Sequence, residues 1–410
     1  MIDERVRLHA GTWCLAALCA LGGATPVFAQ GGNPEEAAVQ LDWLALSPAF
    51  RLSNVGWDDN VFHVAKEDGP TRDFTATASP ALEAWMRLPR ARANGRSQLD
   101  FIYFRELSEI RSIDTDNAGQ IDFLLGRLTP YVGGHWANTR HRWNLEIDAP
   151  VRRLDTSWTA GVDVRISKKT SIGVTTRRSG VDYEGDAIYL GSNLAHHLDA
   201  QTTGYGARVR YALTPLTTVG VDVGQYENEF ANIPERDSRG TRVTSVFEFK
   251  PNALVSGRAY IGVVSRRFVD ERLPEFRGLS SHVELAYTLL GRTRFDVSAR
   301  RDLSSSYRAE HRDYVQQGVQ LSVTHRLANA WDVRGTVGRF TLDYGLAEGS
   351  IAAGDSSLAE GIVYYGSEVG YRIGRTRVGL EVGRQARASD FSGGREYERT
   401  RIASSFSYVF

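Results

Sequence analysis

Arginine and carboxylate side chains recur at alternate positions through most of this sequence, and they are the residues best placed to do chemistry. A guanidinium group stays charged and donates hydrogen bonds in a planar fork, so it can pair with a neighbouring carboxylate or bind an anionic solute. The candidate residues share the polar face of the alternating segments and are Arg208, Arg210, Asp222, Arg242, Glu248, Arg258, Arg294, Asp296, Asp332, Arg334, Arg377, Glu381, Arg399 and Arg401. Two roles remain open for this face: Arg–carboxylate ladders that stiffen a wall, and selection of anionic or hydroxyl-rich solutes.

Residue types that support catalysis or metal binding are sparse. Both cysteines, Cys14 and Cys19, lie in the first 20 residues, so the rest of the chain has no disulfide framework or Cys-based metal site. His196-His197 lies close to Asp199, but adjacent side chains of an extended segment point to opposite sides and make a poor metal site. No serine lies in a nucleophile-elbow context, and no glycine-rich phosphate loop follows a strand. We therefore expect that the protein is not an enzyme and that it binds no metal or cofactor.

The composition excludes two further classes of protein. The 410 residues include 49 basic and 49 acidic side chains, so no basic excess is available to neutralise the phosphates of a nucleic acid. No uncharged apolar run reaches the roughly 18 residues of a membrane-spanning helix, which excludes a helical membrane protein. A content of 40 glycines against 12 prolines, with 10% aromatic residues, instead suits a chain of long strands.

The segments that carry the charges alternate with a period of two, which indicates β-strands with one apolar and one polar face. At the C-terminus Phe406, Tyr408 and Phe410 share one face, while Arg399 and Arg401 share the other. Counting such segments from residue 48 to residue 410 gives about 18 strands. With its connection, each strand has room for the roughly 9–11 residues that cross a bilayer at a tilt.

Short connections alternate with longer and more polar ones. The short set comprises residues 90–94, 138–140, 168–169, 213–216, 251–252, 291–292, 328–329 and 374–375. The long set comprises residues 64–71, 112–118, 184–198, 231–238, 270–277, 304–312, 346–358 and 390–395, with a tight connection at Leu154–Asp155 as an exception. This asymmetry predicts an all-β fold, an antiparallel transmembrane β-barrel of the outer membrane with a polar lumen. A soluble β-sandwich would leave the asymmetry unexplained.

Aromatic residues on the apolar face, near the short turns, predict a girdle at the membrane interface, because amphipathic rings favour the headgroup level. Its clearest members are Trp136, Trp143, Trp331, Tyr408 and Phe410. The long loop at 184–198 also carries large apolar residues, among them Tyr189 and Leu194. Their burial requires that the loop either folds inward to narrow the pore or packs on the rim of the barrel.

The first 29 residues are typical of a secretory signal peptide. Arg5 and Arg7 give it a positive start, an apolar core follows, and small residues up to Ala29 predict cleavage before Gln30. A short N-terminal membrane anchor is the alternative.

Residues 30–47 differ from the rest of the chain and predict a periplasmic segment with a short helix. Pro34-Glu35-Glu36 precedes an apolar-rich stretch, and acidic residues favour a helix N-terminus. This segment is either a lead-in to the barrel at 48–410 or a contact for a periplasmic partner.

Residues Asn54-Val55-Gly56-Trp57-Asp58-Asp59-Asn60-Val61-Phe62 resemble the opening strand of the family named "putative β-barrel porin 2". Members of that family are outer-membrane barrels often tied to exopolysaccharide or capsule export. The resemblance implies that the protein moves a polysaccharide across the outer membrane, beside periplasmic polysaccharide-export proteins. Within the motif, Asp58, Asp59 and Asn60 either end the strand or form a cation site.

The last strand resembles the insertion signal of Gram-negative outer-membrane proteins, in which the final residue is Phe and apolar residues precede it at alternate positions. Phe410, Tyr408, Phe406 and Ile402 match this pattern, and Ser404 departs from it. The resemblance implies insertion by the barrel-assembly machinery, and therefore a mature protein in the outer membrane that contacts lipid and lipopolysaccharide.

Three functions remain open for such a barrel. The leading hypothesis is a conduit for export of an exopolysaccharide or capsule. A general or anion-preferring porin is the second, and a surface scaffold or adhesion barrel with a plugged lumen is the third. Tyr131 and Tyr260 on the lumen face favour sugar stacking, whereas the balance of lumen charges favours a plug.

Overall fold

A computed structural model describes residues 37–142, 144–251, 253–271, 273–327, 330–345, 359–389 and 395–409. Within these residues the chain forms 18 long strands of 12 to 16 residues, each sufficient to cross a bilayer at a tilt. No helix in the described part of the chain is long and apolar enough to span a membrane. The predicted signal peptide at 1–29, Trp143 and Phe410 lie outside the described residues.

The strands are numbered here in chain order. They are β1 Leu44–Asp58, β2 Asp73–Leu88, β3 Ala91–Phe104, β4 Ser112–Phe123, β5 Leu128–His141, β6 Val151–Arg165, β7 Thr170–Tyr183, β8 Ala200–Thr214, β9 Thr217–Phe230, β10 Ser238–Phe249, β11 Val255–Phe268, β12 Phe276–Leu289, β13 Thr293–Ser305, β14 Asp313–Arg326, β15 Trp331–Asp343, β16 Ala359–Ile373, β17 Thr376–Ser389 and β18 Tyr397–Val409. Three two-residue strands and a one-turn helix, α1 (Leu194–Leu198), complete the described secondary structure apart from single 3₁₀ turns.

The sheet closes on itself. Each strand pairs antiparallel with the next, and β1 pairs with β18 in a register that sets Ala49 opposite Val409 and Asp58 opposite Arg401. Closure removes the free edges that would leave backbone groups unpaired in lipid. The predicted antiparallel barrel of about 18 strands is therefore confirmed.

The period of two assigns each residue to a face. Val209 and Val221 are paired across β8 and β9 and are 49% and 45% exposed, so they lie on the outer surface. The opposite face carries charged residues, and Arg242 on β10 reaches Asp302 on β13 there, at 2.9 Å. A contact that skips two strands requires the concave side, where side chains converge. The charged face therefore points into the barrel.

Eight short turns of two to five residues alternate with nine longer connections of 7 to 16 residues between the described strands. Three predicted connections are wrong. Residues 138–140 lie inside β5 and 154–155 inside β6, and the short turn of this region is at 124–127. Residues 112–118 belong to β4, and the long connection is at 105–111.

The strand-like alternation of residues 143–148 explains why the sequence predicts connections at 138–140 and 154–155, where the structure has continuous strands. Residues 143–148 alternate like a strand, but only a few residues separate them from Pro150, too few to cross a membrane. The described residues of this segment form the bent β5–β6 connection, where Glu146, Ile147 and Asp148 are all buried.

The N-terminal segment also differs from the prediction. In its described part no helix forms: Val39–Gln40 is a short strand that pairs antiparallel with Ala45 and Leu46, and β1 begins at Leu44 rather than residue 48. Val39, Leu41 and Trp43 stand at every second position and are exposed, which suits an extended chain at the membrane interface better than a helix.

The family-like motif builds the seam between β1 and β18. The pairing register shifts between Leu52 and Val55, and Asn54 has a φ of 55°, so the strand bulges at this point. Gly56 follows, and a Cβ atom there would lie 2.0 Å from the carbonyl oxygen of Ile402. The two backbones can approach this closely only because Gly56 has no side chain.

We predict that Gly56→Ala lowers the free energy of unfolding by about 1–3 kcal/mol, because the added methyl group must push the two seam strands apart. Gly335→Ala is the matched control, since it also lies within a strand and its Cβ would have no atom within 4 Å. Urea unfolding in lipid vesicles, followed by the heat-dependent gel mobility of the barrel, measures both. Equal destabilisation by the two substitutions would show that the seam is not tightly packed.

Candidate functional site: the lumen and its long-loop mouth

Most of the predicted lumen residues form charge pairs on the inner face. The pairs are Arg208–Asp163, Arg210–Asp222, Arg242–Asp302, Arg294–Asp296, Arg377–Asp332, Arg377–Glu368, Arg399–Asp58 and Arg401–Glu381. Looser contacts of 3.8 Å join Glu248 to Arg210 and Arg258 to Glu284. Arg334 lies opposite Glu368 in the sheet register. The structure thus brings the predicted residues together in local pairs around the wall rather than in one site.

Several pairs bridge more than one strand and tie the wall together. Arg377 on β17 donates to Asp332 on β15 over 3.1 Å from Nε and to Glu368 on β16 over 2.6 Å. Arg208 on β8 likewise donates to Asp163 on β6 over 2.9 Å, and its guanidinium lies 5.2 Å from the ring centre of Tyr131. Paired guanidinium and carboxylate groups present little net charge to the lumen.

A second feature is a packed group at the end of the barrel that carries the long connections. We call it the mouth cluster, and its members are His63, Glu146, Ile147, Asp148, Tyr189, Tyr307, Tyr344, Glu360, Arg387 and Tyr397. All ten are buried, although most are polar or charged. They come from five connections and from the adjoining ends of β16, β17 and β18. Buried polar groups are generally stabilised by hydrogen bonds or ion pairs, and most members of this cluster have such partners within it.

Glu146 joins opposite sides of the mouth. Its carboxylate accepts hydrogen bonds from the hydroxyl of Ser306, from Tyr344 over 3.1 Å and from the backbone N–H of Tyr307 over 3.4 Å. The β5–β6 connection that carries Glu146 and the β13–β14 connection that carries Ser306 are eight strands apart in a ring of 18. The β5–β6 connection therefore spans the mouth.

Asp148 organises the other half of the cluster. His63 Nδ1 lies 2.8 Å from its carboxylate and Arg142 Nε lies 3.1 Å away, while the Tyr397 hydroxyl donates to it. The His63 ring stacks on Tyr397 with centroids 4.5 Å apart. Arg387 completes the attachment by donating to the carbonyl of Leu145 over 2.6 Å.

Burial sets the protonation states of these loop groups. Burial, reinforced by the charge of Arg142, lowers the pKa of His63 to about 3, so the imidazole is neutral. Burial alone would raise the pKa of Asp148, but His63 and Arg142 hold it well below its ordinary value. Burial raises the pKa of Glu146 to about 7, against the opposing effects of Ser306, Tyr344 and the Arg308 charge.

Apolar packing holds the β7–β8 connection against the same segment. Tyr189 and Leu194 are buried with Ile147 and Tyr307, and the Tyr189 hydroxyl donates to the carbonyl of Glu146 over 3.1 Å. Of the two arrangements expected for this loop, the structure therefore shows the inward one for these residues. Ile188 remains 58% exposed.

Arg236 links three connections without a carboxylate among its hydrogen-bond acceptors. It is buried and donates to the backbone carbonyls of His197 and Ser306, each over 2.9 Å, and to that of Arg312 over 2.6 Å. His196 and His197 pack edge to face, 5.2 Å apart. Within the described residues no group of three or more metal-ligating side chains occurs, and the absence of a metal or cofactor stays a prediction.

The motif residues Asp58, Asp59 and Asn60 lock the seam at this same end. Asp58 is buried and accepts from Arg399 Nε over 2.9 Å. Asp59 accepts from the backbone N–H of Thr400 over 2.6 Å, and the Asn60 amide donates to the carbonyl of Glu398 over 2.9 Å. All three end the first strand and fasten it to β18, so their oxygens are used by the protein itself rather than arranged for a cation.

The predicted aromatic girdle is placed only in part. Trp331 begins β15 beside a short turn, is 48% exposed and lies 4.7 Å from the ring of Tyr371. Tyr408 stands opposite Phe50, also near the short-turn end. Trp136 points outward but lies in the half of β5 nearer the long connections, contrary to the prediction, because the turn assumed at 138–140 is strand.

Sequence reasoning missed the mouth cluster because its members lie in connections and at strand ends, where no period applies. The alternation of residues 143–148 is typical of a strand and conceals the role of Glu146 and Asp148, and no motif marks His63, Glu360 or Arg387. One signal was available: the run before Pro150 is too short for a spanning strand yet carries apolar and acidic residues that need burial or partners.

Residues 134–406 match the family described as "Putative beta-barrel porin 2". The chain belongs to this family. The protein is a porin-type β-barrel of the outer membrane, as the motif at residues 54–62 predicts.

This porin is similar to several solved structures. OccK2 (OpdF) of Pseudomonas aeruginosa, solved in complex with glucuronate, is 10% identical, with a TM-score of 0.50 over 89% of this chain and 98% of that chain. OpdK of Pseudomonas aeruginosa is 8% identical, with a TM-score of 0.48 over 89% and 99%. OccAB4 of Acinetobacter baumannii is 8% identical, with a TM-score of 0.47 over 90% and 99%. No curated protein matches the chain.

We predict that ionisation of Glu146 loosens the mouth cluster as the pH rises. The pKa of Glu146 is higher in the folded cluster than its ordinary value of 4.5, so its contribution to stability is fully present below that pH and is lost as the pH rises through about 7. Burial lowers the pKa of His63 in the same cluster, which favours the folded cluster at higher pH, so the effect of Glu146 is measured as the difference between wild type and Glu146→Gln. Relative to that variant, amide hydrogen exchange of residues 144–148, corrected for the intrinsic rate, should show greater protection of wild type at about pH 5 than at about pH 8.

Glu146→Gln keeps hydrogen-bonding capacity but has no charge, so it should not show the loss of protection that Glu146 causes as the pH rises. The matched control is Asp186→Asn, which changes an exposed acid in the neighbouring β7–β8 connection. The same pH dependence in wild type and Glu146→Gln, or a change in Asp186→Asn as large as that in Glu146→Gln, would assign the effect to a different group.

Proposed function

We propose that this porin is a narrow diffusion channel for small polar solutes and that the mouth cluster forms its constriction. The supporting observation is the β5–β6 connection, which spans the long-loop mouth and is held there through Glu146 by Ser306 of the β13–β14 connection and through Asp148 by His63 of the β1–β2 connection. Barrels of 16–18 strands are wide enough for an aqueous channel, so material across the mouth, rather than the ring itself, limits the size of the solute.

The charges of the lumen support weak rather than strong ion selectivity. Most predicted lumen arginines have a carboxylate within hydrogen-bonding or ion-pair distance, as Arg208 has Asp163 and Arg242 has Asp302. A solute carboxylate would have to compete with these internal partners. The channel therefore suits small neutral or weakly anionic solutes, including monosaccharides and their acids.

Export of a polysaccharide, which the strand-one resemblance implies, is the competing function. A polymer needs a continuous opening along the whole lumen, so the mouth cluster would have to be displaced during transport, for example by a periplasmic partner. A plugged scaffold is the third possibility, and it requires that the mouth cluster never opens. The three functions differ in how conductance depends on the β5–β6 connection.

The experiment is single-channel conductance in planar bilayers. Wild type should give small, steady openings, because the cluster narrows the mouth without filling the ring. A variant in which residues 144–148 are replaced by a glycine–serine segment of the same length should conduct severalfold better. In the matched control, a glycine–serine segment of the same length replaces the exposed turn Lys66–Asp68, which lies outside the mouth cluster. This control should conduct like wild type.

Liposome swelling with glucuronate and with an anionic polysaccharide then separates the functions. Uptake of glucuronate by wild type, with exclusion of the polymer, supports the narrow channel. Passage of the polymer through wild type would favour export instead. A silent wild type and an equally silent 144–148 variant, both shown to be folded by gel mobility, would favour the scaffold.

A further inference from the structure

The eight short turns carry charge of one sign. Their described residues include seven basic side chains and no acidic one, and the seven are Arg90, Arg127, Lys168, Lys169, Lys250, Arg292 and Arg375. We call this set the turn rim. All seven are exposed, and none forms a salt bridge with another described residue. They occupy six of the eight turns, so they encircle the barrel rather than mark one side of it.

The opposite end of the barrel has the opposite balance. Among the described residues of the nine longer connections, 17 are acidic and 9 are basic. The formal neutrality of the whole sequence therefore conceals a charge separation along the barrel axis. Short turns face the periplasm in outer-membrane barrels, so the positive end meets the periplasmic leaflet.

Exposed aliphatic side chains accompany the turn rim. Every turn holds one or directly follows one, and the most exposed are Leu290 at 88%, Leu254 at 71% and Ile373 at 63%. A cation beside an exposed aliphatic residue, repeated around a circumference, matches a bilayer surface, which offers phosphates and acyl chains at adjacent depths. A soluble partner at the periplasmic opening would not need the repeat on every side.

We propose that the turn rim binds anionic phospholipid headgroups of the periplasmic leaflet and so anchors the barrel at a fixed depth. Lys and Arg near an anionic membrane surface gain electrostatic attraction that decays within a Debye length, about 8 Å at physiological ionic strength. The turns are short, so their cations stay within this distance of the leaflet. The long connections are mostly acidic and are not attracted to anionic headgroups. The barrel therefore prefers anionic lipid only in the leaflet that its short turns contact.

The test uses the full-length barrel in vesicles of phosphatidylethanolamine, with spin-labelled phosphatidylglycerol as the probe lipid. The quantity measured is the association of the labelled lipid with the barrel relative to labelled phosphatidylethanolamine. The rim variant combines Lys168→Gln, Lys169→Gln, Arg292→Gln and Arg375→Gln. The matched control removes four basic side chains at the long-loop end, Lys66→Gln, Arg72→Gln, Arg105→Gln and Arg239→Gln, all of them exposed.

Wild type should associate with phosphatidylglycerol more strongly than with phosphatidylethanolamine. This preference should be about tenfold weaker in the rim variant and unchanged in the control. The preference of wild type should also weaken at high salt. Heat-dependent gel mobility confirms that each variant is folded. Equal preference in wild type and the rim variant, or a loss in the control instead, would overturn the proposal.

A second arm addresses a soluble polyanion as the true ligand. Polyglutamate is titrated against wild type and the rim variant in detergent micelles. Tight binding by wild type that the rim variant loses, with lipid preference unchanged between the two, would overturn the lipid assignment. Comparable weak binding by both proteins supports it.

Discussion

Closure of the sheet is the constraint on which the rest of this structure depends. A backbone group without a partner costs several kcal/mol in lipid, so β1 must find β18 after 16 intervening strands have been placed. The seam meets this demand with local devices: a bulge at Asn54, a close approach at Gly56, and side-chain bonds from Asp58 and Asn60 to β18. These devices all fall within residues 54–60 of the opening strand and its end.

Inside the ring, charge is tolerated because it is paired. Arg377 holds carboxylates of two other strands, and Arg242 reaches across two strands to Asp302. Removing one partner of such a pair would leave the other desolvated and uncompensated, which is why these pairs act as cross-braces of the wall as well as lining for the lumen. At the long-loop end the charged groups lie closer together and are more fully buried. There Glu146 and Asp148 fix a connection across the opening.

The period of two was sufficient to predict the fold, the strand number and the face of most charged residues, because alternation is a property of each strand alone. It was insufficient for partners. The pairing of Arg242 with Asp302 depends on strand stagger and barrel curvature, which no single strand encodes. The mouth cluster was out of reach for a related reason: it joins His63, Glu146 and Tyr397, and the alternation of residues 143–148 imitated a strand that the structure does not contain. The turn misplaced at 138–140 and the misjudged depth of Trp136 both follow from that imitation.

The wide spacing along the chain of the mouth contacts has a consequence for assembly. Glu146 bonds a residue 160 positions away, Asp148 one 249 positions away, and His63 accepts through its carbonyl from Arg395, 332 positions away. Contacts of such sequence separation form only after the intervening chain has been placed. The β5–β6 connection therefore lacks its binding partners until the barrel is closed. It does not span the opening while strands are still being added. We therefore expect the mouth to close late in folding, when the barrel is complete.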